Sequence, residues 1–380
     1  NAQLADVYLE AYAATGDPEY RRVARETLDY VARDMQGPSG GYFSSSDADS
    51  EGEEGKYFVW RLDEVRAVLE DPLAERFCLF FGVTAAGNWE GTNVLHTPHP
   101  LAHVARELGV DVAELSESLR EARALMLEAR QERLAPAVDD KVLVAWNGLM
   151  IRAMAHGYRQ LGDPRHLASA RRAADFVLRE LRRPDGGLFR TARSGQAHLD
   201  GYLEDYAYFV DGLISLYEVS AAPEYLSAAR ELGERMVADF APSRTPSSET
   251  SSTTQGGPEP GEGGAFYHTA HSHEPLLTRP REGHDGALPN PNAVACRALG
   301  RLAAHLDRDD LRRVALDAAL AYGSQVKRQP RAFATLLCAV DFLLEPPLEI
   351  VLASDPDSVG AEDLAAAIAS AYLPNRIEAR

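Results

Sequence analysis

The chain has 380 residues, with 39 Lys and Arg against 58 Asp and Glu and a net charge of −19. An acidic surface of this kind repels a phosphate backbone, which argues against nucleic acid as a partner. Hydrophobic residues make up 45% of the chain, enough for a sizeable core, while no run approaches the roughly 20 apolar residues of a membrane-spanning helix.

Amphipathic helical patterns begin at the first residues, and two helices fit before residue 36. Because the chain opens on Asn1 and is already amphipathic there, an upstream portion is expected beyond this sequence. A Gly-Gly-aromatic step follows, Gly40-Gly41-Tyr42-Phe43, and recurs as Gly186-Gly187-Leu188-Phe189 and Gly263-Gly264-Ala265-Phe266. Such glycines stop a helix and turn the chain inward. Three helices are expected between 61 and 134, two each in 142–182, 200–240 and 287–327, and one at 331–344.

An internal repeat organises these helices. Gly16-Asp-Pro-Glu-Tyr, Gly162-Asp-Pro-Arg-His and Ala221-Ala-Pro-Glu-Tyr each open a helix with an early proline, with a weaker fourth copy from Asp307. The helix after the second copy carries Leu167, Ala170, Ala174, Val177 and Leu181 on one face and arginines elsewhere, the pattern of an outer helix. The helices before the copies, from Trp146 to Leu161 and from Tyr206 to Tyr217, are apolar nearly all round and read as inner helices. The expected fold is an all-α (α/α)6 toroid of six hairpins over residues 1–345. The Ser-, Thr-, Pro- and Gly-rich stretch 241–263 reads as a disordered insertion, and 346–380 as a partial α/β appendage.

Cys78, Cys296 and Cys338 are odd in number, lie on apolar helical stretches and lack CxxC spacing. Neither disulfides nor a metal is expected, the compartment is expected to be reducing and cytoplasmic, and no cofactor is called for.

In a toroid the connections from outer to inner helices emerge at one end, so their polar residues converge. Four clusters are expected there: Asp47, Asp49 and Glu51 with Glu53 and Glu54; Asp140 and Lys141 with Trp146 and Asn147; Asp200, Tyr202, Glu204, Asp205 and Tyr206; and His284 and Asp285 with Asn290 and Asn292. Asp49, Glu51, Asp140, Glu204, Asp205 and Asp285 are the candidate catalytic acids. Asp47, Lys141, Trp146, Asn147, Tyr202, Tyr206, His284 and Asn292 are the candidate ligand contacts. The first run resembles a calcium loop, but Phe58 stands where the twelfth position needs a bidentate Glu. Asp139-Asp140 and Glu204-Asp205 also suit helix N-capping, and His198, His268, His271 and His284 are candidate bases.

Five ordered motifs, DADSEGEEGKYFVW (47–60), GNWEGTNVLH (87–96), DDKVLVAWNGLMI (139–151), YLEDYA (202–207) and DGALPNPNAVA (285–295), give the chain a resemblance to a known family over nearly its whole length. It resembles the spermatogenesis-associated protein twenty and YyaL-like family of thioredoxin-domain-containing proteins. That resemblance implies a helical toroid similar to N-acylglucosamine 2-epimerases and six-hairpin glycosidases, separated here from an upstream thioredoxin-like domain. Asn290-Pro291-Asn292 replaces the family's Ser-Gly-Asn, and Gly264-Ala-Phe-Tyr-His268 departs from its Gly-Phe-Phe-Asp form. The function expected is carbohydrate-active, as a sugar isomerase or epimerase or a glycoside hydrolase on a sugar-like ligand. The alternative is a non-catalytic scaffold that binds a partner protein or the thioredoxin-like domain.

Overall fold

The computed structural model describes residues 1–242, 264–353 and 359–379. Apart from residues 241 and 242, the expected disordered insertion lies outside the described residues. In chain order the helices begin with α1 (Ala2–Thr15) and α2 (Pro18–Tyr30). Next come α3 (Leu62–Val68), α4 (Leu73–Phe81), α5 (Leu101–Leu108) and α6 (Val112–Gln131). Then follow α7 (Val144–Leu161), α8 (Pro164–Glu180), α9 (Leu203–Ser220) and α10 (Pro223–Phe240). The last are α11 (Pro291–Leu306), α12 (Asp309–Leu320), α13 (Gly323–Arg328), α14 (Ala334–Leu344) and α15 (Val359–Ala369).

The chain divides into two compact units, Ser45–Asp139 and the remainder. In the larger unit α1, α7, α9, α11 and α14 lie side by side in that order, and α2, α8, α10 and α12 return outside them. This alternation of inner and outer helices is the helical-hairpin, toroid-type arrangement expected from the sequence, and it makes the inner helices run the same way. α9 shows why the inner layer is apolar all round: its buried residues include Leu203, Tyr206, Tyr208, Phe209, Leu213 and Leu216, which cover every side. α8 buries only one face, through Ala170, Ala173, Ala174 and Val177.

The repeat has a backbone cause. Four inner helices end on left-handed residues, Gly16 (φ 72), Gly162 (φ 69), Ala221 (φ 55) and Asp307 (φ 52), which reverse the chain. Asp17 and Asp163 then cap α2 and α8, each accepting from the backbone N–H two residues on at 2.9 and 3.0 Å, with proline next. Where α7 crosses α9 the two backbones nearly touch. A Cβ on Gly148 would come within 2.5 Å of the Phe209 nitrogen, and one on Gly212 within 2.6 Å of the Gly148 carbonyl.

The smaller unit departs from the expected count. Four helices, α3 to α6, replace the three expected between 61 and 134, and they pack on cores of their own, one around Trp60, Phe77 and Met126 and one around Val104, Leu115 and Leu119. Among the described residues, the larger unit therefore carries four complete hairpins and a fifth inner helix.

The sheets are small. β1 (Ser45–Ser46), β2 (Asp49–Ser50), β3 (Glu53–Glu54) and β4 (Val138–Asp139) form two antiparallel pairs in the smaller unit. In the larger unit β5 (Val142–Leu143), β6 (Phe189–Arg193) and β7 (Gln196–Asp200) form one antiparallel sheet. At the C-terminus β8 (Leu348–Val351) pairs in parallel with β9 (Arg376–Ala379), with α15 between them in sequence. β9 packs on α9 and α11.

Candidate functional site

The acids expected to share one cavity are engaged elsewhere. The 47–56 run is a hairpin, with Asp49 opposite Glu54 and its turn at Glu51 (φ 55) and Gly52 (φ 79). Asp47, Asp49 and Glu51 are exposed, and Lys56 pairs with Glu51 at 3.3 Å and Glu53 at 2.9 Å. This hairpin, with Trp89 and Arg133, borders a cleft of about 540 Å³ in the smaller unit.

In the larger unit Asp140 meets Arg193 at 2.8 Å and Glu204 meets Arg190 at 2.9 Å. Asp205 is buried and turns onto main chain, accepting from the N–H of Ala145 at 3.0 Å and of Tyr202 at 2.8 Å. Burial pushes its carboxyl up to about 7, against the pull of Arg190 and those N–H groups. Asp285 likewise accepts from the N–H of Asn290 at 2.8 Å and of Thr335 at 2.9 Å. Asp205 and Asp285 thus have capping geometry, and their lone pairs serve the backbone.

The expected ligand contacts divide similarly. Asn147 accepts from the Tyr42 N–H at 2.8 Å and donates to the Tyr42 and Leu143 carbonyls at 3.0 and 2.9 Å. Asn292 does the same for Phe266, accepting from its N–H at 2.8 Å and donating to its carbonyl at 3.1 Å. Tyr206 is buried against Phe240, and its hydroxyl accepts from the Leu188 N–H at 2.8 Å. All three fasten Gly-Gly-aromatic loops to inner helices, so none forms a stacking wall. Tyr202 is exposed with Arg190 over its ring, Trp146 and His284 are exposed, and Lys141 is half-buried. Among the other candidate histidines, His198 and His271 are exposed, and Nε2 of His268 is buried without a partner.

What the sequence reading missed lies farther along the same helices. A cavity of about 490 Å³ is lined by residues of all five inner helices and by the 372–376 segment. Its charged residues include Glu10, Arg152, His156, Arg159, Arg297 and Arg301, and Phe342 and Tyr372 add aromatic surface. A connected set of ion pairs underlies it. Asp211 meets Arg152 at 3.6 Å, Arg297 at 2.6 Å and Arg301 at 2.7 Å. Glu218 meets Arg159 at 3.0 Å, Arg301 at 3.0 Å and His305 at 3.1 Å. Asp6 meets Arg152 at 3.2 Å and lies 2.6 Å from Nδ1 of His156. That last contact is close but off-axis, since Oδ1 of Asp6 receives no well-aligned hydrogen bond.

Burial alone would raise the pKa of these three carboxyls, and neighbouring cations outweigh it. Arg152 and His156 hold Asp6 far below the carboxylate range, and Arg297 and Arg301 do so for Asp211. Arg301 and His305 hold Glu218 there. All three stay ionised, so the network offers fixed negative and positive groups with no neutral carboxylic acid. The three cysteines are not all buried on apolar helical faces as expected. Cys296 is buried, its thiol pushed up to about 12 by burial, but Cys338 is exposed and lines the cavity.

Asp29, Asp163 and His166 bring ligand atoms within 4.8 Å of one another. Arg165 already engages Asp163 at 2.6 Å and Asp29 at 3.3 Å, which leaves the group an ion-pair cluster.

The chain is 30% identical over 410 aligned positions to human spermatogenesis-associated protein 20, and 28% identical to the mouse protein. Both alignments cover 99% of this chain and 50% of the relative. The chain is thus similar to one half of spermatogenesis-associated protein 20. It spans about half the length of those relatives. An uncharacterised Caenorhabditis elegans protein aligns at 24% identity over 89% of this chain and 48% of its own length. No family model matches. Among solved structures, a D-mannose isomerase aligns at 12% identity over 85% of this chain and 74% of its own, with a TM-score of 0.40. A family 105 glycoside hydrolase from C. acetobutylicum aligns at 11% over 84% and 75%, with a TM-score of 0.38. No described helix is long and apolar enough to cross a membrane.

Proposed function

We propose that the inner-helix cavity binds a sugar-like polyhydroxy carbonyl compound and moves a proton next to its carbonyl, as a sugar isomerase or epimerase does. The observation that carries this is a single cavity lined by His156, by arginines tied to carboxylates, and by Phe342 and Tyr372. Paired charged groups of fixed orientation suit vicinal hydroxyls, and aromatic faces suit the apolar side of a sugar ring. With Nδ1 of His156 facing Asp6, Nε2 is the nitrogen left to a ligand, and the carboxylate supports the charge of a ring that takes up a proton. An arginine beside the carbonyl oxygen would stabilise the enolate that forms when His156 removes the neighbouring proton. Return of that proton to either face completes the exchange.

Hydrolysis is the weaker reading. It needs a neutral carboxylic acid at the leaving oxygen, while Asp6, Asp211 and Glu218 are held ionised and Asp205 is committed to backbone. We also propose that a thioredoxin-like domain accompanies this one in the full-length protein, and that a reducing, cytoplasmic setting suits its three unbridged cysteines.

The test is a thermal-shift panel of aldoses and ketoses. The reading expects stabilisation by at least one sugar, abolished by Arg301→Met within the cavity. A flat response across the panel would favour the scaffold.

A further inference from the structure

The charges around the cavity do not balance in its depth. Among the described residues, Arg152, Arg159, Arg297, Arg301 and Arg376 stand against the buried carboxylates Asp211, Glu218 and Glu378 and the largely buried Asp6. Glu10 and Asp341, the cavity's other acids, are respectively half-buried and exposed at its edge, where water screens them. Helix dipoles do not supply the missing charge at Arg152 and Arg297, because both sit in mid-helix and the dipole acts within the last turn.

Sharing makes the excess local. One carboxylate, Asp211, serves three guanidiniums, Arg152, Arg297 and Arg301. Burial and the nearby Arg152 hold Arg297 below the usual guanidinium range despite Asp211. A second observation is independent of charge. Arg159 has a side chain only 6% exposed, lines the cavity, and its Nε, 3.3 Å from Glu378, finds no well-aligned acceptor. A buried guanidinium N–H that no neighbouring oxygen meets in line has hydrogen-bonding capacity to spare.

We infer that the ligand of this cavity carries an oxyanion, a carboxylate or a phosphate, on its sugar-like body, with Arg297 supplying charge and Nε of Arg159 an N–H that lacks an aligned acceptor. This rests on the cavity being the site of a sugar-like ligand. Arginine is suited to the task because its planar fork meets both oxyanions in two parallel hydrogen bonds. The carbonyl end of such a ligand is left to His156. Carboxylate and phosphate share this chemistry and differ in size and charge, so the experiment separates them.

The test is calorimetric titration of the protein with glucose and mannose, with glucuronate and mannuronate, and with glucose 6-phosphate and mannose 6-phosphate. One acidic class is expected to bind about tenfold or more tightly than its neutral parent at 0.15 M salt. Arg297→Gln should bring acidic and neutral forms to within about threefold, and Arg297→Lys should restore part of the difference. Asp211 keeps Arg152 and Arg301 in both variants, so the network retains its pairing. Should Arg297→Gln fail to fold, the salt dependence of the unaltered protein serves instead: affinity for the acidic form must fall with ionic strength more steeply than affinity for the parent. Neutral sugars binding as tightly as acidic ones, or a preference that survives Arg297→Gln, would overturn the inference and leave the sugar reading standing. If no sugar of either class binds, both fall.

Discussion

Asn147 and Asn292 perform the same task on two different inner helices: each side-chain amide pairs with both backbone groups of one loop aromatic, Tyr42 for the first and Phe266 for the second. Both amides are buried, so no water can replace them. Asn147→Ala and Asn292→Ala should each destabilise the fold by about 3 kcal/mol, since buried N–H and C=O groups lose their partners. Urea unfolding measures this. A loss below about 0.5 kcal/mol would mean that the loops are held by something else.

The crossing of α7 and α9 admits no Cβ. Gly148→Ala and Gly212→Ala each aim a methyl group at backbone 2.5 to 2.6 Å away, and backbone cannot swing aside as a side chain can. Each substitution should cost about 3 kcal/mol or more. The gain of about 1 kcal/mol that alanine ordinarily brings to a helix interior is too small to offset it. Thermal unfolding of the two variants checks the sign.

Stability should depend on pH in two windows of opposite slope. Asp205 has a folded-state value of about 7 against an ordinary 3.8, so between these the folded chain holds a proton that the unfolded chain has released. Its contribution therefore falls as pH rises from about 4 to about 7, and Asp205→Asn should flatten that part of the curve. Asp6, Asp211 and Glu218 are shifted downward, so their contribution is present above the ordinary carboxylate range and is lost as pH falls below about 4. Denaturant midpoints measured across pH 3 to 8 for the unaltered chain and Asp205→Asn separate the two effects.

The hairpin repeat was legible because its signals are local: a left-handed residue, an acidic cap and a proline within a few positions at Gly16 and Gly162. Position at one end of the helices was legible too, but not orientation. Asp205 and Asp285 stand at inner-helix starts, and whether a carboxylate there faces a cavity or a backbone N–H depends on contacts with Ala145 and Thr335, 60 and 50 residues away in sequence. The cavity was missed although its signal is written along the chain. Arg152, His156 and Arg159 recur at spacings of four and three on α7, Asp211, Ser215 and Glu218 do so on α9, and Arg297, Arg301 and His305 recur every four on α11. A charged stripe on a helix that is apolar on its other sides is unaffordable unless other stripes face it. Reading the inner helices together, rather than the loops between them, would have exposed it.

Proton transfer at His156, with Asp6 2.6 Å from its Nδ1, is open to direct test. The direct measurement is proton NMR of a sugar that binds, incubated with the protein in heavy water, following loss of the signal at the carbon beside the carbonyl. The unaltered protein should exchange the proton, His156→Gln should lower the rate by about a hundredfold or more, and Asp6→Asn should lower it less with affinity retained. Exchange in His156→Gln at the unaltered rate, or no exchange of any sugar that binds, would contradict proton transfer at His156.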